Sequence, residues 1–252
     1  MVESPWLLLL LFSGALAAGW VDSIAGGGGL VTIPLLLWVG LPPQLALGTN
    51  KFQASFGSFT ATYYYVHKGV VPLRQAVPGI IFTLIGAALG TWAVQQISGD
   101  VLNGIIPFLL LGIAVYTLFT PSLGMGDHSP RMSRSSFFAL FGLLLGAYDG
   151  FFGPGVGSFW AVAFVLALGL NLTTATGYTK LMNFTSNIVS CLLFALGGHV
   201  LPLAGAVMAV GQILGARLGS GMVVRRGARF IRPVFVSMVI LTTLKLMYDR
   251  FF

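Results

Sequence analysis

Charge is scarce in this sequence and cysteine almost absent. Charged residues make up 8% of its 252 positions, against roughly 25% in a soluble domain. That deficit excludes a solvated globular surface. The single cysteine, Cys191, excludes an intrachain disulfide and a thiolate metal cluster. The three histidines, His67, His128 and His199, are scattered through loops, so neither a metal site nor a cofactor is expected. No expected span holds a histidine, and the convergent nucleophile and base of an enzyme are missing, so catalysis is not expected. The net charge is +7. Its basic residues lie mostly in loops, a pattern of membrane orientation and not of nucleic-acid binding.

Apolar residues are abundant instead, at 56%, with a mean hydropathy of +0.92. Apolar runs of roughly 20 residues, the length of a membrane-spanning helix, recur along the chain. The expected fold is an all-α polytopic integral membrane protein, in contact with lipid. Segments are expected at about 6–18, 30–40, 45–66, 77–96, 101–120, 136–148, 155–170, 174–197, 201–224 and 231–249. The segments at 6–18 and 30–40 look too short to span.

Two stretches interrupt the apolar pattern at matching places. Gly19 to Pro34 reads GWVDSIAGGGGLVTIP, and Gly146 to Trp160 reads GAYDGFFGPGVGSFW. Asp22 matches Asp149, Gly26 matches Gly153 and Gly28 matches Gly155. Further on, Lys51 matches Lys180, Gly86 and Gly90 match Gly215 and Gly219, and Pro107 matches Pro233. The chain therefore reads as two membrane repeats, 1–120 and 136–252, joined by a loop at 121–135. Internal duplication of this kind is common in secondary transporters.

Charge decides how the halves relate. If each broken segment is a hairpin returning to its starting side, Lys68, Arg74, Arg131, Arg134, Arg225, Arg226, Arg229 and Arg232 share one side, leaving Lys245 and Arg250 on the other. A single crossing instead splits the same residues six against four. Eight against two obeys the positive-inside rule. The expectation is two inverted repeats, each a Gly-broken hairpin, re-entrant or short, followed by three spanning helices. The connecting loop is then cytoplasmic and both termini periplasmic.

Inverted broken hairpins bring helix N-termini, with their free N–H groups and positive dipole ends, toward one volume near the membrane midplane. Gly26, Gly27, Gly28 and Gly29 in a row break a helix and admit an anion close to the backbone, whereas the scattered Gly86, Gly90, Gly215 and Gly219 read as close-packing positions. A carboxylate inside a membrane is costly and marks a functional place. Two roles fit Asp22 and Asp149: proton coupling, or a structural cap or ion pair holding the break. Lys51 and Lys180 suit a small anion. Alternatively each pairs with the Asp of its own half, or snorkels to the interface. Thr49, Asn50, Gln53, Thr179, Asn183 and Asn187 surround them with neutral polar groups. Arg217 reads as snorkelling.

DSIAGGGGLVTIP with LALGTNKFQA, and YDGFFGPGVGSF with TATGYTKLMNFTSN, resemble the TauE/SafE sulfite-exporter family, closest to its YfcA-like bacterial members. The resemblance covers nearly the whole chain. It implies a bacterial inner-membrane carrier that exports small sulfur-containing anions such as sulfite or organosulfonates. By position it implies a substrate site of Gly26 to Gly29, Thr49, Asn50, Lys51, Gly153, Gly155, Thr179, Lys180 and Asn183, with Asp22 and Asp149 beside it. The halves differ where Pro154 replaces a glycine and Thr179 stands opposite Asn50. A passive anion channel and an accessory subunit of a larger complex remain the alternatives.

Overall fold

A computed structural model describes residues 4–119 and 129–226. The expected segment at 231–249, and with it Lys245, Arg250, Arg229, Arg232 and Pro233, lies outside the described residues, as does His128. Among the described residues the chain is helical throughout: α1 (Pro5–Ala25), α2 (Gly29–Trp38), α3 (Pro43–His67), α4 (Leu73–Gln95), α5 (Gly99–Phe119), α6 (Arg134–Phe151), α7 (Val156–Leu168), α8 (Leu172–Leu196) and α9 (Pro202–Arg226).

Local sequence sets several of these boundaries. Prolines open α1, α3 and α9, where a missing N–H costs nothing. Ser133 caps α6 by accepting from the Ser136 N–H, and Asn171 caps α8 by accepting from Thr174. Gly26 ends α1 in the left-handed region (φ 76°), its N–H donating to the Asp22 carbonyl.

The first limb corrects the sequence reading. α1 does not stop near residue 18; it runs on through Gly19 and Asp22 to Ala25, 21 residues in all. That is about 31 Å of helix, enough to cross a membrane. Only the return limb, α2, is short, at 10 residues. Gly19 is tolerated because its bare Cα meets α9: a Cβ there would lie 2.7 Å from the Gln212 carbonyl oxygen. Both limbs double back. Leu35 lies beside Gly14 and Gly28 beside Asp22, while Phe159 lies edge-on to Tyr148 and Phe164 packs near Phe137 in the second pair.

The helices pair across the halves. α1 runs beside α9 and α4 beside α6, each pair parallel and held at bare glycines. A Cβ on Gly86 would sit 2.4 Å from the Leu143 carbonyl oxygen, and one on Gly215 would sit 2.1 Å from that of Leu16. Gly90 meets Ala147 and Gly219 meets Trp20 in the same way. At the centre α3 and α8 cross in opposite directions: Gly48 faces Phe194, Lys51 reaches Asn187, Phe59 touches Phe184 and Tyr65 lies by Gly177.

These two central helices are polar inside and apolar outside. α3 buries Thr49, Asn50, Lys51, Gln53, Ser55 and Ser58 but exposes Phe56, Phe59 and Tyr63. α8 buries Lys180, Asn183, Ser186, Asn187 and Ser190 but exposes Leu192 and Leu196. Only a lipid surround makes that arrangement favourable. α1, α4, α8 and α9 are each long and apolar enough to cross a membrane. The architecture is that of an all-α polytopic membrane protein. An aromatic core of Trp160, Phe164, Phe137 and Phe138 fills the space between α6 and α7.

Candidate functional site

The two helix breaks touch. A Cβ on Gly26 would lie 2.5 Å from the Gly157 Cα, and the Ser158 hydroxyl donates to the Ala25 carbonyl at 3.3 Å. Gly29 packs on Pro154. The N-terminal ends of α2 and α7 therefore meet at one place, and both border a cavity of about 30 Å³. Of the residues expected from sequence, Asp22, Gly26, Gly28, Gly29, Asn50, Lys51, Asp149, Gly153, Gly155 and Asn183 line that cavity.

Four buried or half-buried charges stand around it as two exchanged pairs. Lys51 Nζ lies 2.5 Å from Asp149 Oδ1 and 3.1 Å from the Asn187 amide oxygen. The Ser186 hydroxyl donates to the other Asp149 oxygen. Lys180 Nζ lies 2.9 Å from Asp22 Oδ2, and the Asn183 amide, turned with its oxygen toward it, accepts at 3.3 Å. Each lysine thus pairs with the aspartate of the opposite half, not of its own. Neither lysine snorkels: Lys51 is 2% exposed and Lys180 is fully buried. Arg217, by contrast, is exposed on α9.

Asp22 has a second task. Its Oδ1 accepts the Gly28 N–H at 3.1 Å, so one carboxylate holds the break in shape and carries the ion pair. The pairs are not equally sealed, since the Asp22 side chain is 22% exposed and that of Asp149 3%. With all four groups ionised the charges sum to zero, and an anion finds no net attraction.

Four expected residues lie off the cavity. Thr49 accepts the Leu201 N–H at 2.9 Å and so anchors the start of α9. Gly27 does not line the cavity, and Thr179 is buried with its hydroxyl unpartnered. Lys180 borders it only through Asp22. Gln53 and Asn187, read from sequence as neighbours, do line it, together with Ala54, Val156 and Gln212. Gln212 and Ser186 were not singled out from sequence. Gln212 carries the one carboxamide of α9, a polar group in an apolar run, which is the signal that could have found it. Among the described residues no group of His, Cys, Asp or Glu is placed to hold a metal.

Comparison with known proteins finds relatives over nearly the whole chain. A 48% identity over 248 residues, 97% of this chain and 96% of the relative, links it to a "Probable membrane transporter protein" of Haemophilus influenzae. YfcA of Escherichia coli K12, a "Probable membrane transporter protein", is 48% identical over 98% of this chain and 91% of its own. A Sinorhizobium protein described in the same words, ORF9, is 42% identical over 96% and 93%. These are described as transporters, not enzymes. Residues 11–246, spanning both breaks and both lysines, match the family described as Sulfite exporter TauE/SafE, and the chain belongs to that family.

Proposed function

We propose that this protein is a proton-coupled secondary transporter that exports small sulfur-containing anions, such as sulfite or organosulfonates, across the bacterial inner membrane. The observation that carries the reading is the exchanged pair of ion bridges, Lys51–Asp149 and Lys180–Asp22, around a cavity between two touching helix breaks. The family's description supplies the substrate class.

The charge balance suggests how protons and anions are coupled. A proton delivered to Asp22, the more accessible carboxylate, neutralises it and frees the Lys180 charge. The site then carries one net positive charge and draws in an anion. Departure of the anion favours return of the ion pair and release of the proton. The coupling rests on electrostatics in a setting where an unpaired buried charge is strongly unfavourable.

Alternating access follows from the same parts. The cavity has room for about two waters, so an oxyanion enters only when the breaks separate. The halves 1–120 and 136–252 act as inverted repeats that rock about the α3–α8 crossing, with 121–135 cytoplasmic and both termini periplasmic.

Labelled sulfite flux into proteoliposomes of the purified protein, with and without an imposed proton gradient, tests this. Gradient-driven uphill accumulation that is lost in Lys51→Ala is expected. Flux that never exceeds equilibration makes the protein a channel, and no flux with any sulfur oxyanion overturns the substrate class.

A further inference from the structure

Two glutamines stand on the cavity wall, and one of them has a buried polar atom that no protein group satisfies. Gln53 on α3 is fully buried; its Nε2 donates to Asn50 at 2.8 Å, but its Oε1 has no partner. Gln212 on α9 is 3% exposed and lines the same cavity. A buried amide oxygen left without a partner is unfavourable unless something completes it.

The surrounding helices are shaped to admit Gln212. Gly19 on α1 and Gly57 on α3 both face its amide: a Cβ at Gly57 would lie 2.3 Å from Oε1, and one at Gly19 2.9 Å from it. Gln53 lies one turn before Gly57, on the same face of α3. The repeat-related site around Asp149 is built differently. Gly57 corresponds to Ser186, which donates to Asp149, and Gln212 corresponds to Thr83, which is directed at the Met182 sulfur. So the site around Asp149 closes its polar groups on neighbouring side chains, and the one around Asp22 places two carboxamides on the cavity wall with the Gln53 oxygen open.

We propose that Gln53 and Gln212 form a selectivity wall that reads a hydrogen-bond donor on the transported anion. Resting on the transporter reading above, this narrows the substrate class to small oxyanions that also carry an O–H or N–H. The Gln53 oxygen accepts that hydrogen, the Gln212 amide holds a neighbouring oxygen, and the anionic end faces the lysines. Two sources share this chemistry, a hydroxysulfonate and an aminosulfonate. An anion without a donor leaves the Gln53 acceptor unsatisfied and is rejected, as sites built to hydrogen-bond a substrate O–H reject analogues lacking it.

The test compares methanesulfonate, hydroxymethanesulfonate and aminomethanesulfonate. Binding is read by calorimetry in detergent, and flux in proteoliposomes. Wild-type protein is expected to favour the two donor-bearing ligands by at least about tenfold, with the hydroxyl and ammonium arms separating the sources. Gln53→Leu and Gln212→Leu are expected to erase that preference while methanesulfonate still binds. Gln212→Asn, a shorter carboxamide, controls for folding and is expected to retain part of it. Equal affinity for all three ligands in wild-type protein overturns the selectivity wall and leaves the transporter standing. A preference undiminished in both leucine variants overturns it as well. Absence of binding and flux for every sulfonate and for sulfite overturns the transporter reading on which it rests.

Discussion

Lys51 and Asp149 lie 98 positions apart in the chain and 2.5 Å apart in the fold. Their counterparts, Lys180 and Asp22, are 158 positions apart and 2.9 Å apart. Each bridge ties α3 or α8 to a helix break in the opposite half. In this structure the lysine of each half is neutralised by the aspartate of the other.

Removing one member of the sealed bridge is expected to be severe. Lys51→Ala leaves the Asp149 carboxylate buried with only Ser186 beside it, and stranding a charge in this way costs about 3–5 kcal/mol. The double variant Lys51→Met, Asp149→Leu removes both charges and is expected to be more stable than Lys51→Ala, yet equally inactive. Thermal unfolding in detergent alongside flux separates the two effects. A Lys51→Ala protein as stable as wild type would contradict the burial of this pair.

The two aspartates are expected to differ. Asn at position 22 keeps an oxygen for the Gly28 N–H but replaces the oxygen facing Lys180 with an amide NH2, and the side chain is 22% exposed. Asp22→Asn is therefore expected to fold with a smaller loss of stability than Asp149→Asn, whose side chain is 3% exposed. In flux assays Asp22→Asn is expected to lose its response to a proton gradient. If its flux still follows the gradient, Asp22 is not the coupling group.

The glycine pairs give a prediction about assembly. A Cβ at Gly90 would lie 2.0 Å from the Ala147 carbonyl oxygen and one at Gly219 2.5 Å from that of Trp20. Backbone cannot yield that far without the helices parting. Gly90→Val and Gly219→Val are both expected to abolish recovery of monodisperse protein. Gly104→Ala on α5, where nothing lies within 4 Å, is expected to be neutral or mildly stabilising. Size-exclusion profiles of the three variants test the contrast.

Much of this was legible because charge inside an apolar run is conspicuous. Asp22, Lys51, Asp149 and Lys180 stand out in sequence, and their repeat spacing places them in pairs. The partner of each lysine was not legible. Spacing along one helix carries no information about which half's break arrives opposite it, and the exchange is settled by α1 packing on α9 and α6 on α4. The end of α1 was misread for a related reason. Gly19 and Asp22 look like breakers in one dimension, but Gly19 faces the Gln212 backbone and Asp22 reaches forward to cap Gly28, so the helix continues. Thr49 looked like a site residue from its neighbours, yet its hydroxyl faces Leu201.

Orientation gives the last prediction. Lys68, Arg74, Arg131, Arg134 and Arg225 are exposed at one end of the bundle. Arg134 donates to Gln75 on α4, the Arg131 N–H donates to the end of α7, and α3 and α9 finish side by side where Tyr64 lies near Gly221. Asp100, at the start of α5, is exposed at the other end. By the positive-inside rule the basic end is expected to face the cytoplasm. Native Cys191 is buried, so Cys191→Ser supplies a background for labelling at chosen positions. In whole cells an impermeant thiol reagent is expected to reach Asp100→Cys and to spare Arg74→Cys, which reacts only after the membrane is opened. The reverse pattern would invert the assignment, placing Asp22, the more exposed carboxylate, on a different route to its proton source.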